Sequence, residues 1–315
     1  MSRYLLSALS PVALFAASLL APSVVAQTAS PKSVDDIKVD PWNSVPLHGP
    51  AYKGVKSGPA PRRDLSGIWD ATGDRTKIPP AGIQPTGAFE HRAVSPDNNS
   101  PAGGEPDERH IANPLPYTAQ GEASLEANKP TSLGLRSVPA TKGNDPVDAC
   151  NPPGFPRAVL NEFRNFEILQ ADNHVDMLYQ TYRTWRTIWT DGRELPKDPE
   201  PRFNGYSVGK WVDDYTFVVQ TVGMRDDTWL DSAGRPHSSD LKVEERYHRV
   251  DQDHIELTVT IDDPKMYTKP WLALNKFPVR RQPRGFDTRE LYCAPADFAD
   301  YNTNVGDPVD EPATK

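Results

Sequence analysis

The chain runs to 315 residues and carries 43 Asp and Glu against 35 Lys and Arg, a formal net charge of −8. An acidic chain with no basic run has no electrostatic footprint for nucleic acid or for an anionic lipid surface. Past its first segment no apolar stretch approaches the about 20 residues that cross a bilayer, and the length allows one sizeable core.

Taken in chain order, the first element is an address. Arg3 supplies a positive start, Tyr4 to Leu20 is apolar apart from serines and Pro11, and Val24-Val25-Ala26 precedes Gln27. This is the pattern of a secretory signal over residues 1–26, which implies a periplasmic or secreted protein with no membrane span once cleaved. No cysteine stands near the cleavage point to take a lipid. Next comes a stretch poor in apolar runs: 20 of the 33 prolines fall between Pro31 and Pro156. Such a composition cannot bury enough surface to offset its ordering entropy. Residues 27–60 are therefore expected to be a flexible, dispensable segment, and 61–158 one short strand (Leu65–Trp69) with long irregular loops. A β-rich core is expected over 159–300 and a flexible tail over 301–315.

Within that core, His174–Tyr182 and Thr184–Trp189 read as strands ahead of an Asp191-Gly192 turn. Gly205–Val212 and Tyr215–Val222 flank Asp213-Asp214. A two-residue turn there pairs Val212 with Tyr215, Lys210 with Phe217, Val208 with Val219 and Tyr206 with Thr221. In the following hairpin Leu241, Val243, Glu245 and Tyr247 share a face with Ile255, Leu257, Val259, Ile261 and Asp263. Matching the apolar faces pairs Tyr247 with Leu257, Glu245 with Val259 and Val243 with Ile261. Extending the ladder brings His237 towards Asp263 and Tyr267 at one end of the sheet, with Glu245 about 13 Å deeper.

Consecutive hairpins without a convincing helix predict a mainly β fold: an antiparallel up-and-down barrel or a strongly curved sheet, behind a long Pro-rich irregular N-terminal region. Gly67-Ile68-Trp69 resembles the glycine–any–tryptophan start of lipocalin-like barrels. The stretches GYSVGKW, TWLDSAGRPHS, VEERYHR and TIDDPKMYTKPW, spread over about the last half of the chain, resemble an uncharacterised family of secreted bacterial β-proteins. That resemblance implies the fold and the exported location and brings no catalytic residues with it. Cys150 and Cys293, an even pair in an oxidising compartment, are expected to form a disulfide.

Several motifs bear on chemistry. Gly205-Tyr206-Ser207-Val208-Gly209 matches a nucleophile elbow, with Asp227 or Asp231 and then His237 following in hydrolase order. The elbow needs a helix after its serine, and here a strand continues. No dinucleotide, phosphate-loop or zincin motif is present, and His237, His248 and His254 do not share a face, so neither cofactor nor metal is implied. His237, in a turn behind Pro236, has a ring that titrates near neutrality, with Asp262 or Asp263 to orient it. Glu245 stands on an apolar face and needs an inward partner such as Arg186 or Arg193, or else a wet cavity. Trp185 and Trp189 add to an aromatic-rich sheet.

The expectation is an acid–base enzyme of lyase, isomerase or hydrolase type acting on a small aromatic or sugar-like substrate in the barrel cup. His237, Asp263, Glu245 and Tyr267 are its catalytic candidates, and Tyr206, Arg186, Trp229, Tyr247 and Trp271 would bind substrate. The alternatives are a non-catalytic lipocalin-like binder of a small, partly apolar ligand and a serine hydrolase using Ser207. A small molecule is the one partner implied, and the oligomeric state stays open.

Overall fold

The computed structural model describes residues 32–45, 47, 49–70, 115–131, 138–139, 142–160 and 165–296. The expected signal over 1–26 and tail over 301–315 lie outside them, as does part of the expected loop region over 61–158.

Nine strands of the described residues close into a barrel in sequence order. They are β1 (Gly67–Asp70), β2 (Asn165–Gln170), β3 (His174–Tyr179), β4 (Trp185–Trp189), β5 (Tyr206–Trp211), β6 (Thr216–Val222), β7 (Lys242–Arg249), β8 (His254–Asp262) and β9 (Trp271–Arg281). The barrel is consistent with a lipocalin-like fold. One helix of nine residues, α1 (Ala119–Ala127), lies outside it, its first turn closed by the Thr118 hydroxyl accepting from Gly121 N at 3.0 Å.

Period-two alternation puts the core inside. On β8, Ile255, Leu257, Val259 and Ile261 are all buried, each contributing roughly 1.5–3 kcal/mol on full burial. Phe166 and Ile168 of β2 and Val175 and Met177 of β3 meet them from across the barrel in one continuous cluster. Trp69 of β1 is also buried. Its Nε1 donates to the Leu65 carbonyl at 2.9 Å, and the Arg249 guanidinium lies 4.6 Å over its ring. Arg249 in turn donates to the carbonyls of Asp64, Asp251 and Gln252, which fastens the chain ahead of β1 to the β7–β8 turn.

The β7–β8 register is the expected one, with Tyr247 beside Leu257, Glu245 beside Val259 and Val243 beside Ile261. The β5–β6 register is not. Tyr206 pairs with Val222, Ser207 with Thr221, Gly209 with Val219 and Lys210 with Val218. The Asp213 carboxylate accepts from both Tyr215 N and Thr216 N at 2.7 Å, and Val212 N donates to Thr216 O, so the loop holds three residues rather than two. That extra residue moves every partner by one.

A second departure concerns direction. β4 and β5 run parallel and pair at two positions, Ile188 with Ser207 and Trp189 with Val208. A parallel neighbour requires a return path along the barrel, and residues 190–205 supply it. Arg202 on that path exchanges backbone bonds with Gly223 and Arg225, beyond the end of β6. The remaining contacts, including the closing one between β1 and β9, are antiparallel.

The segment expected to be dispensable is tied down from residue 32 onward. Asp35 pairs with Arg281 at 2.8 Å and accepts from Arg284 N, Ser44 bridges to Thr288, and Gly58 O accepts from Gln252 N at 3.0 Å. Val34 and Ser44 are buried. The signal was missed because polar side chains and single backbone bonds anchor this segment, not an apolar period. The Cys150–Cys293 disulfide forms as expected and joins residues 143 apart. Closing a loop of that length contributes about 5 kcal/mol on the chain-entropy account.

Candidate functional site

The candidate residues fall into three places. The first is the end of the barrel behind Gly234-Arg235-Pro236. Asp263 accepts from Ser238 N at 2.6 Å and from the Ser238 hydroxyl at 2.8 Å, and the Tyr267 hydroxyl donates to Pro236 O at 2.8 Å. The turn and the corner thus lock together, as the extended ladder implies. His237 is only 3 % exposed, and both its nitrogens are engaged. Nδ1 meets the Ser238 carbonyl at 3.3 Å and Nε2 the Thr228 hydroxyl at 2.8 Å. A carbonyl can only accept, which places the proton of the neutral ring on Nδ1. Burial lowers the His237 pKa, and the Ser238 carbonyl and Asp263, Asp226 and Asp227 counter it only in part. Trp271 packs edge-on against Tyr267 at 5.2 Å, and Trp229 is buried near Gly234. The ring and carboxylates gather here, but each is spent on closing the structure.

The second place is the barrel interior. Glu245 Oε1 accepts from Arg186 Nη2 at 2.9 Å and from the Tyr247 hydroxyl at 2.6 Å, and Oε2 lies 2.8 Å from the same Nη2 as an ion pair. All three residues are buried. Arg186 stacks 3.9 Å over the Phe155 ring, and its Nη2 also reaches Met177 Sδ at 3.6 Å. The Tyr179 hydroxyl donates to Met177 Sδ at 3.4 Å, and its oxygen stays available to the Arg186 guanidinium. Burial works against the Arg186 charge, and the Glu245 carboxylate beside it more than restores it, so its pKa is raised. Burial, then the same carboxylate, pushes the Tyr247 phenol well above its ordinary range. Glu245 is thus an ion-pair partner, the simpler of its two expected roles.

The third place is the β4–β5 seam. Where the two strands diverge beyond their short pairing, a cavity of ≈ 520 Å³ opens. Trp185, Trp189, Phe203 and Tyr206 supply aromatic walls, and Arg186, Arg193, Arg202 and Glu194 are the charged residues of the lining. Arg193 stacks 3.5 Å over Trp189, and Arg202 stacks 4.2 Å over Tyr206. Asp191 holds Arg193 at 2.6 Å, and no carboxylate among the described residues pairs with Arg202. Trp185 is 65 % exposed, a large apolar surface left to solvent at this cavity.

The glycine–serine motif runs along the same seam. Gly205 adopts a positive φ of 60° at the head of β5, and a Cβ on Gly209 would fall 2.4 Å from Phe217. Its glycines therefore serve the turn and the packing. The Ser207 hydroxyl bonds Thr221 at 2.9 Å, while His237 bonds Thr228 and Ser238. Of the expected binding residues, Arg186 and Tyr206 line the seam cavity, Tyr247 lies in the interior, and Trp229 and Trp271 belong to the His237 end. Phe203 and Arg202 went unnoticed in the sequence, although Trp189–Arg193 and Arg202–Tyr206 repeat one aromatic–arginine spacing at the two ends of the connection. Among the described residues no group of three His, Cys, Asp or Glu is placed to hold a metal ion, and no helix is long and apolar enough to cross a membrane. No family model, curated protein or solved structure matches the chain.

Proposed function

We propose that this is an exported barrel protein that binds a small, partly apolar ligand at the β4–β5 seam without transforming it. The observation that carries the reading is the cavity with an aromatic–arginine stack at each end of the connection, Arg193 on Trp189 and Arg202 on Tyr206. Small-molecule sites are concave and mostly apolar, with a few placed polar groups, and this one has that make-up. The export part is supported by the residue pattern over 1–26 and by the disulfide. An acid–base enzyme working through His237 would need one of its ring nitrogens to face the substrate, and both are engaged within the chain.

Because Trp185 and Trp189 line the cavity, ligand entry should change their fluorescence. Titration with phenol, indole, 4-hydroxybenzoate and glucose is expected to give a saturable change with the aromatic compounds, reduced at least fivefold in affinity by Trp185→Ala. No saturable change with any of the four would sink the reading.

A further inference from the structure

We propose that the outer face of the barrel across β6–β9 binds a tetrahedral oxyanion, a phosphate or the phosphoryl group of a larger molecule, between Lys276, Arg246 and His248. The site lies on other strands than the seam and does not depend on the binding reading above. A bulge and a small concavity carry it together.

The bulge is in β9. Leu257 pairs with Phe277 and Val259 with Leu274, so Thr258 of β8 stands opposite two residues, Asn275 and Lys276. A bulge re-aims a side chain, and glycine ordinarily fills a left-handed position within it. Here Lys276 adopts that conformation, with a φ of 53°. Such an outlier marks a position kept for what its side chain does. Lys276 N fastens the bulge by donating to the Thr258 hydroxyl at 3.1 Å, whose own proton stays free to donate among the described residues. Beside it lies a cavity of ≈ 250 Å³ lined by Thr216, Arg246, His248, Glu256, Thr258 and Lys276. Lys276 forms no ion pair among the described residues. Arg246 meets Glu244 at 3.5 Å with both side chains part-exposed, a pair too loose to occupy it. His248 engages the Thr216 hydroxyl through Nδ1 at 3.0 Å and leaves Nε2 uncommitted among the described residues. Glu256 is the carboxylate of the lining, against a lysine and an arginine, and Asp213 of the β5–β6 loop also lies near His248. The donors stand on β7, β8 and β9. A flat carboxylate meets one edge, whereas a tetrahedral oxyanion offers oxygens in several directions and suits donors that converge from three strands.

Calorimetric titration of the full chain with inorganic phosphate is expected to give a saturable heat in low-salt buffer, where exposed charges are least screened. Lys276→Gly keeps the bulge, because glycine takes a positive φ freely. It should weaken phosphate binding at least fivefold while unfolding no earlier than the wild type. Lys242→Gln removes one charge from the exposed face of β7 outside the lining and should leave the affinity within twofold. No saturable heat, or equal weakening by the two variants, overturns the proposal in favour of diffuse surface charge. Earlier unfolding of Lys276→Gly, which would give the lysine a structural role, overturns it as well. Sedimentation with phosphatidylcholine vesicles, with and without phosphatidylglycerol, separates the two sources. Capture selective for phosphatidylglycerol and lost in Lys276→Gly assigns a lipid phosphoryl group, and phosphate binding without such capture assigns a soluble anion.

Discussion

The His237 end and the β4–β5 seam are both rich in aromatic and charged side chains, and they differ in what those side chains are doing. At the first, His237, Asp263 and Tyr267 each close a bond within the chain, to Ser238, Thr228 or Pro236. At the seam, Arg202 has no carboxylate partner among the described residues and Trp185 stands in solvent. Titratable residues gathered at one place are as compatible with a fastening as with a site. What separates the two is whether the charged and titratable side chains themselves keep bonding capacity, since at the first place the buried donor without an acceptor among the described residues belongs to Trp271.

The sharpest way to break this contrast is at Glu245. Its replacement by Gln removes the carboxylate that balances a buried guanidinium, an uncompensated charge expected to cost about 3–5 kcal/mol. Thermal unfolding should show a drop of about 10 °C for a domain of this size. An unchanged midpoint would mean that the pair is not a structural unit. A smaller loss is expected for His237→Ala. Truncating a buried ring that bridges Thr228 and Ser238 should cost about 2–3 kcal/mol, read by denaturant unfolding, because a hydroxyl and a carbonyl lose their partner. A fully stable variant would free that residue for another role.

A pH series sharpens the same point with a smaller effect. The His237 pKa is lowered in the folded protein, chiefly by burial. The unfolded chain therefore takes up a proton below about pH 6.5 that the folded chain refuses. The contribution of this residue to stability is whole above that pH and is lost as the pH falls below it. Between pH 7.5 and 5.5 the wild-type midpoint should fall more steeply than that of His237→Asn. The smallest stability effect belongs to Arg202→Ala at the seam. Its exposed stack on Tyr206 should be worth less than about 1 kcal/mol in folding, yet ligand affinity should drop several-fold. If Arg202→Ala destabilises as much as His237→Ala, the seam is a fastening too.

How far these places could be read from the sequence depended on what encodes them. The β7–β8 pairing is written in strict alternation from Val243 to Ile261, and one slip would have turned Tyr247 and Leu257 outward. From it follow the meeting of the His237 turn with Asp263 and the isolation of Glu245, whose partner Arg186 was among those expected. Alternation says nothing of loop chemistry or strand direction. The Asp213 carboxylate, by capturing two backbone amides, set a three-residue loop that shifted β5 against β6. The parallel β4–β5 contact depends on the path of residues 190–205, which have no period to read. The seam cavity is a product of that path, so its arginines carried no signal until the connection was in place. Burial of the His237 ring was equally invisible, since a turn after a proline reads as surface.

One consequence of the topology lies in the order of synthesis. Asp70 of β1 sits between Asn165 of β2 and Arg280 of β9, so the earliest strand to be made has neighbours that emerge much later. From β3 onward each strand finds its preceding neighbour close behind along the chain, at little entropic cost, whereas β1 must wait for two long-range pairings. Closure of the ring is thus a single late event, sealed on one side by Trp69 beneath Arg249 and on the other by Arg281 held to Asp35 and Asp253. The strand that is made first is the one that completes the barrel.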